Sequence, residues 1–149
     1  NKNQLSDCFK RKQKPIIITT EFGKFITFIL VLAFFSIVFI QSGVDKVFDY
    51  KGNLSFLNDL LRGFFSRPLI NFALISVAIL ELTSGILCLI GIFDAIFNPS
   101  YFIGKLGLII GSLALLVLLF GQRVSKNYDG AKTIAVYFIL AMLGIIWAL

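Results

Sequence analysis

Glu81 stands near the middle of an apolar run, Leu69 to Phe93, that is long enough to cross a bilayer. A carboxylate at that depth is costly unless it is protonated, paired or wetted, so intramembrane acids face a bundle interior and mark functional positions. Glu81 shares a helical face with Gly85 and Cys88, which turns it toward neighbouring helices. Groups able to meet it gather in two clusters, Gln41, Asp45 and Lys46 after the first apolar run, and Gln122, Arg123, Tyr128 and Asp129 after the third. If the helices alternate in direction, both clusters come to the same membrane face. Glu81 lies ~18 Å along its own span at 1.5 Å per residue, so contact with Lys46 or Arg123 calls for a long side chain reaching down or a chain of waters. Three chemistries are open to it: an ion pair that fixes helix register, a polar pocket for a quinone headgroup or small substrate, and a proton relay. The relay is disfavoured by the lack of a second mid-span acid. The two clusters also admit a plainer reading, as helix ends whose side chains snorkel to water.

Composition sets the class. The chain has 149 residues, 58% hydrophobic and 15% charged, where a soluble domain carries about a quarter charged residues. Four spans of ~20 residues take up most of the chain, leaving one membrane domain. There is no histidine, which removes the usual haem ligand, zinc ligand and proton shuttle. Cys8 and Cys88 form no CxxC, so neither a metal site nor a dithiol motif is expected. Cys88 reads as a small packing residue. The net charge of +6 is concentrated at Lys10, Arg11, Lys12 and Lys14. Before a membrane span such a run reads as a cytoplasmic anchor facing anionic lipid, not as a nucleic-acid site. The sequence starts at Asn1 without Met, as a processed chain or a piece of a longer product would. Its first apolar run lacks a small-residue cleavage site and is expected to remain as a span.

These readings give an all-α, integral membrane four-helix bundle. Residues 1–21 form a basic polar tail, with Ile16 to Thr20 at most a short extended piece, and residues 22–149 form the membrane domain, with spans near 22–43, 69–93, 101–120 and 131–149. Between the first two spans, Leu57, Leu60, Leu61, Phe64 and Phe65 recur at helical spacing opposite Asn58, Asp59 and Arg62. The pattern predicts a short amphipathic helix with Asn53 or Ser55 as N-cap, stopped by Arg67-Pro68. It lies in the membrane interface or packs over the bundle mouth. Asp94 to Ser100, with Asn98-Pro99, is read as a tight connection. Trp147 suits an aromatic-belt depth. Small residues supply close packing, above all Gly85, Gly107, Gly111 and Gly144, while the Phe-rich first helix is expected to show more of its side chains to lipid or to a partner subunit. The cluster before the first span favours cytoplasmic N- and C-termini, although Lys and Arg divide evenly between the two sides on that assignment.

Some of these residues resemble the DoxX family, small four-helix proteins of the bacterial inner membrane. Ser42-Gly43-Val44-Asp45-Lys46 is similar to its Ser-Gly-x-x-Lys signature, and Glu81-Leu82-Thr83-Ser84-Gly85-Ile86-Leu87 with Gly91 to its Glu-Leu-x-x-Gly-x-x-Leu segment. Gly121-Gln122-Arg123, Tyr128 to Ala131 and Tyr137-Phe138 add to the likeness, which covers about residues 25–149. The family includes relatives of the DoxD subunit of thiosulfate:quinone oxidoreductase. The resemblance implies an accessory membrane subunit of a respiratory or redox complex, not catalytic alone, with membrane lipids and other membrane subunits as partners. The alternative it implies is a quinone-interacting subunit of the oxidoreductase itself. No covalent cofactor is expected, and quinone and lipid are the candidate ligands. A transporter fits less well, for want of an internal repeat or a broken mid-membrane helix.

Overall fold

A computed structural model describes the backbone of residues 2–98 and 100–148, and side chains from residue 20 onward within those limits. Five helices follow one another: α1 (Lys2–Phe48), α2 (Tyr50–Leu60), α3 (Arg67–Phe97), α4 (Phe102–Val124) and α5 (Tyr128–Trp147). The described residues contain no strand. Four segments are long and apolar enough to span a membrane: Thr20–Phe48, Arg67–Phe97, Phe102–Val124 and Tyr128–Trp147. In lipid a spanning segment must satisfy every backbone group internally, and the helix does so within one segment. The architecture is therefore the expected four-helix membrane bundle, with one short helix between the first two spans.

Several boundaries differ from the sequence reading. Ile16 to Thr20 is helical, not extended, because α1 is continuous from Lys2. Extending a helix needs no new nucleus, and β-branched residues cost only tenths of a kcal/mol each. The first loop cluster is also helical, since α1 continues past Gly43 to Phe48. α3 likewise takes in Asp94 to Phe97, and the connection shrinks to the residues after Asn98, whose backbone N–H donates to the Asp94 carbonyl at 2.7 Å. Pro99 lies outside the described residues. α2 starts earlier than predicted, with Asp49 as N-cap accepting from the Gly52 N–H at 3.2 Å, in place of Asn53 or Ser55. It also stops earlier, at Leu60. Gly63 follows at φ +89°, a left-handed turn that only glycine adopts without strain. Phe64 consequently falls outside the helix and is exposed.

α3 is the central helix, packed on α1 along one side and α4 along the other. Small residues set these contacts. The α-carbons of Gly91 and Gly104 meet at the α3–α4 crossing, Gly107 lies on Cys88, and Gly111 lies against Phe39 and Ser84. Gly85 sits against Ile40 of α1, and Gly144 of α5 against Leu108 and Val31. The Ser84 hydroxyl donates to the Gly107 carbonyl at 2.7 Å, a fully buried bond between α3 and α4. Ser84→Ala is expected to lower stability by roughly 0.5–1.5 kcal/mol in a detergent unfolding titration, the usual worth of such a bond.

The phenylalanines of α1 correct one expectation. Phe28, Phe35 and Phe39 are at most 2% exposed and form the core, whereas Phe22 near the start of the span and Phe48 at its end face outward with Leu30 and Ile37, and Phe34 does so less. The reason is volume. Glycine and serine on α3 and α4 leave room opposite α1, and the rings fill it, with Phe28 against Gly104 and Phe39 against Gly111. Phe35 and Phe39 stack at 5.2 Å, and Phe28 meets Tyr101 edge-on at 5.1 Å.

Candidate functional site

Register explains why Glu81 finds a partner directly. Gly43 lies against Leu82 and Ile40 against Gly85, so antiparallel α1 reaches its end, Phe48, about level with Val77. α1 thus ends about 15 Å short of the first residue of α3 at 1.5 Å per residue. Lys46, in the last turn of α1, is therefore level with Glu81, although Glu81 is deep within its own helix. The expected long reach or water chain is not needed: the Lys46 ammonium lies 2.8 Å from Glu81 Oε2.

Ser42, one turn before Lys46, closes a three-residue cluster. Its hydroxyl donates to Glu81 Oε1 at 3.2 Å and accepts from Lys46 Nζ at 2.7 Å. Lys46 also donates to the Ser42 carbonyl at 3.4 Å, a long and weak bond. Glu81 is 1% exposed. Its Oε2 is held by the charge of Lys46 and makes no further polar contact among the described residues. The carboxylate is held electrostatically on one oxygen and by a hydroxyl on the other.

Beside this cluster a cavity of about 230 Å³ opens between α2, α3 and α4. Leu57, Leu61, Leu74, Val77 and Val117 supply its apolar walls, and Lys46, Asn53 and Gln122 supply its polar groups. Asn53 spends its amide on the carbonyls of Asp45 and Asp49, at 3.3 and 2.9 Å. The carbonyl oxygen of Gln122 is buried without a hydrogen-bond partner among the described residues. α2 packs against α3 and the end of α1, held by buried Leu61 just after its last turn and by the Tyr50 hydroxyl, which donates to Asn71 Oδ1.

Of the candidate residues, the fold brings Lys46 and Glu81 together and sets Gln122 on the same cavity as Lys46. The others lie elsewhere. Arg123 is exposed and stacks over the Tyr128 ring at 5.1 Å, so it does not serve Glu81. Asp129 pairs with Lys132 at 3.0 Å on the surface. Gln41 and Asp45 are exposed on the outer side of α1. Ser42 was not singled out from the sequence as a site residue. Its signal is there, since it precedes Lys46 by four residues and must share a helical face with it. Cys88 is fully buried against Gly107, in packing contact. No group of side chains with metal-ligand character occurs among the described residues.

No family model, no curated protein and no solved structure matches the chain.

Proposed function

We propose that this chain is a membrane subunit whose cavity beneath α2 receives the headgroup of a quinone-like amphiphile, in service of a larger redox complex of the bacterial inner membrane. The observation that carries this reading is that Lys46, held by Ser42 and Glu81, lines a mostly apolar cavity of about 230 Å³ together with Asn53 and Gln122. Ligand sites of this kind are mostly apolar, with a few placed polar groups that orient the guest. A quinone presents a flat apolar ring with a carbonyl at either end. The Lys46 hydrogen now spent on the 3.4 Å contact and the amide of Gln122 are the donors available to those carbonyls. The DoxX-like motif order supports this reading from the sequence side. The basic run at Lys10 to Lys14 orients the N-terminus, and after four crossings the C-terminus, toward the cytoplasm.

A photoactivatable quinone analogue tests the site. It is expected to label peptides of α2 and α4, and Ala73→Phe, which fills the cavity from α3, is expected to abolish most of the labelling while leaving the unfolding transition in place. Unchanged labelling in the Ala73→Phe protein would remove the cavity from consideration.

A second reading, an accessory subunit that packs against a larger complex, is favoured by the outer face of α1. Phe22, Leu30 and Ile37 are 63%, 63% and 67% exposed there, and Gln41 and Asp45 share that face. Polar side chains on the outside of a spanning helix form hydrogen bonds to other helices. Native purification in mild detergent tests this reading, and a strictly lone monomer would count against it.

A further inference from the structure

On the side of α2 away from the α4-lined cavity, two features of opposite character lie end to end. A polar cleft of about 680 Å³ opens between α2 and the start of α3, with Lys51, Asn58, Asp59, Arg67 and Asn71 in its wall. An adjoining depression of about 310 Å³ shares Asp59 and Arg67 and adds Arg62. The ion pairs among the described residues are Lys24–Glu21, Lys46–Glu81 and Lys132–Asp129. Lys51, Arg62 and Arg67 therefore stand as three unpaired cations around a single carboxylate, Asp59. One helical turn further along α3 an apolar groove of about 210 Å³ begins, formed by Val47, Leu74, Ile75, Ala78, Ile79 and Leu82. The hydrogen-bonded pair of Tyr50 and Asn71 is the boundary between the two, since Asn71 lines the cleft and Tyr50 lines the groove.

We propose that this face binds one anionic glycerophospholipid, its phosphate between Lys51 and Arg67 and an acyl chain along Ile75 and Ile79. Charge and shape both select this occupant. Among the described residues only Asp59 offsets the positive charge of the cleft, and cations at the edge of a membrane span attract anionic headgroups. The groove is apolar along Val47, Ile75, Ala78, Ile79 and Leu82 and accepts an alkyl chain, with the polar atoms of its Lys46 and Tyr50 engaged by Glu81, Ser42 and Asn71. A free phosphate would use only the cleft, and a neutral hydrocarbon only the groove. The site is distinct from the proposed quinone cavity. The groove shares only Lys46 and Leu74 with that cavity, and the test reads phospholipid, not quinone.

Native mass spectrometry of the full chain, released from bilayers of equal phosphatidylglycerol and phosphatidylcholine, tests the proposal. The protein is expected to retain one phosphatidylglycerol in preference to phosphatidylcholine. Lys51→Gln/Arg67→Gln, both at exposed positions, is expected to lower that retention on the order of tenfold or more. Ile75→Trp, which obstructs the groove and leaves the cleft intact, is expected to lower it as well. Equal retention of the two lipids, or retention unaffected by either variant, would overturn the proposal. So would stabilisation by inorganic phosphate alone to the level reached with phosphatidylglycerol, because the groove would then contribute nothing.

Discussion

Lys46→Met is expected to destabilise the protein by roughly 3–5 kcal/mol, the usual loss when one partner of a buried ion pair is removed. The methionine keeps the length and apolar stem of lysine, so the loss measures the charge left behind. Glu81, 1% exposed, would then retain only the Ser42 hydroxyl. Glu81→Gln in the same background removes that stranded charge and is expected to recover most of the loss. Glu81→Gln alone is expected to cost less than Lys46→Met, about 1–2 kcal/mol, because Lys46 is 15% exposed, keeps its bonds to Ser42 and has the cavity to turn into. Unfolding by denaturing detergent from mixed micelles gives all the values needed for a double-mutant cycle. If Lys46→Met cost less than about 0.5 kcal/mol, the pair would not be carrying a buried charge.

The second large effect lies at the α3–α4 crossing. A Cβ placed on Gly107 would lie 2.9 Å from the backbone N of Cys88 and 2.9 Å from its sulfur. Backbone cannot turn aside as a flexible side chain can, so the two helices must separate. Gly107→Val is expected to cost about 1–3 kcal/mol from overpacking, increased by the loss of the Ser84 hydroxyl bond to the Gly107 carbonyl. Gly121 has nothing within 4 Å of its Cβ position, and Gly121→Ala is expected to be neutral or slightly stabilising, since alanine is the better helix former. The same unfolding titration compares them. Equal effects at the two positions would mean that close backbone approach is not what holds α3 to α4.

The two effects join at one place. Ser84 is one turn beyond Glu81 on α3, so the small-residue seam to α4 and the polar contact to α1 are made by adjacent turns of a single helix. Loosening the seam is expected to disturb the ion pair as well, through the depth at which α3 sits. Gly107→Val therefore offers a way to perturb the candidate site without touching any of its polar atoms.

The fold class was legible in the sequence because lipid leaves few solutions. Apolar runs of bilayer length must be helices, and Gly107-x-x-x-Gly111 marks a face that another helix approaches closely. The ends of the helices were less legible. Val44 to Lys46 and Gln122 to Val124 fall beyond the predicted spans because polar residues predominate around them, yet both continue their helices, since polarity reports surroundings and not backbone conformation. The direction of the α1 phenylalanines was not legible at all. Their burial depends on the volume left by Gly104 and Gly111 on a helix distant in sequence.

Glu81 was conspicuous from its type and its neighbours alone, and its inward direction followed from the small residues on its face. Its partner was not decided there, because Lys46 and Arg123 were equally plausible cations. The choice rests on register: α1 stops part of the way along α3, which brings Lys46 level with Glu81, while Arg123 stacks outward on Tyr128. Hydrophobic patterning and helix-length limits are local and can be read along the chain. Helix offset, and the cavity that the offset leaves beneath α2, are set by how side chains on separate helices fill space together, and only the packed bundle determines them.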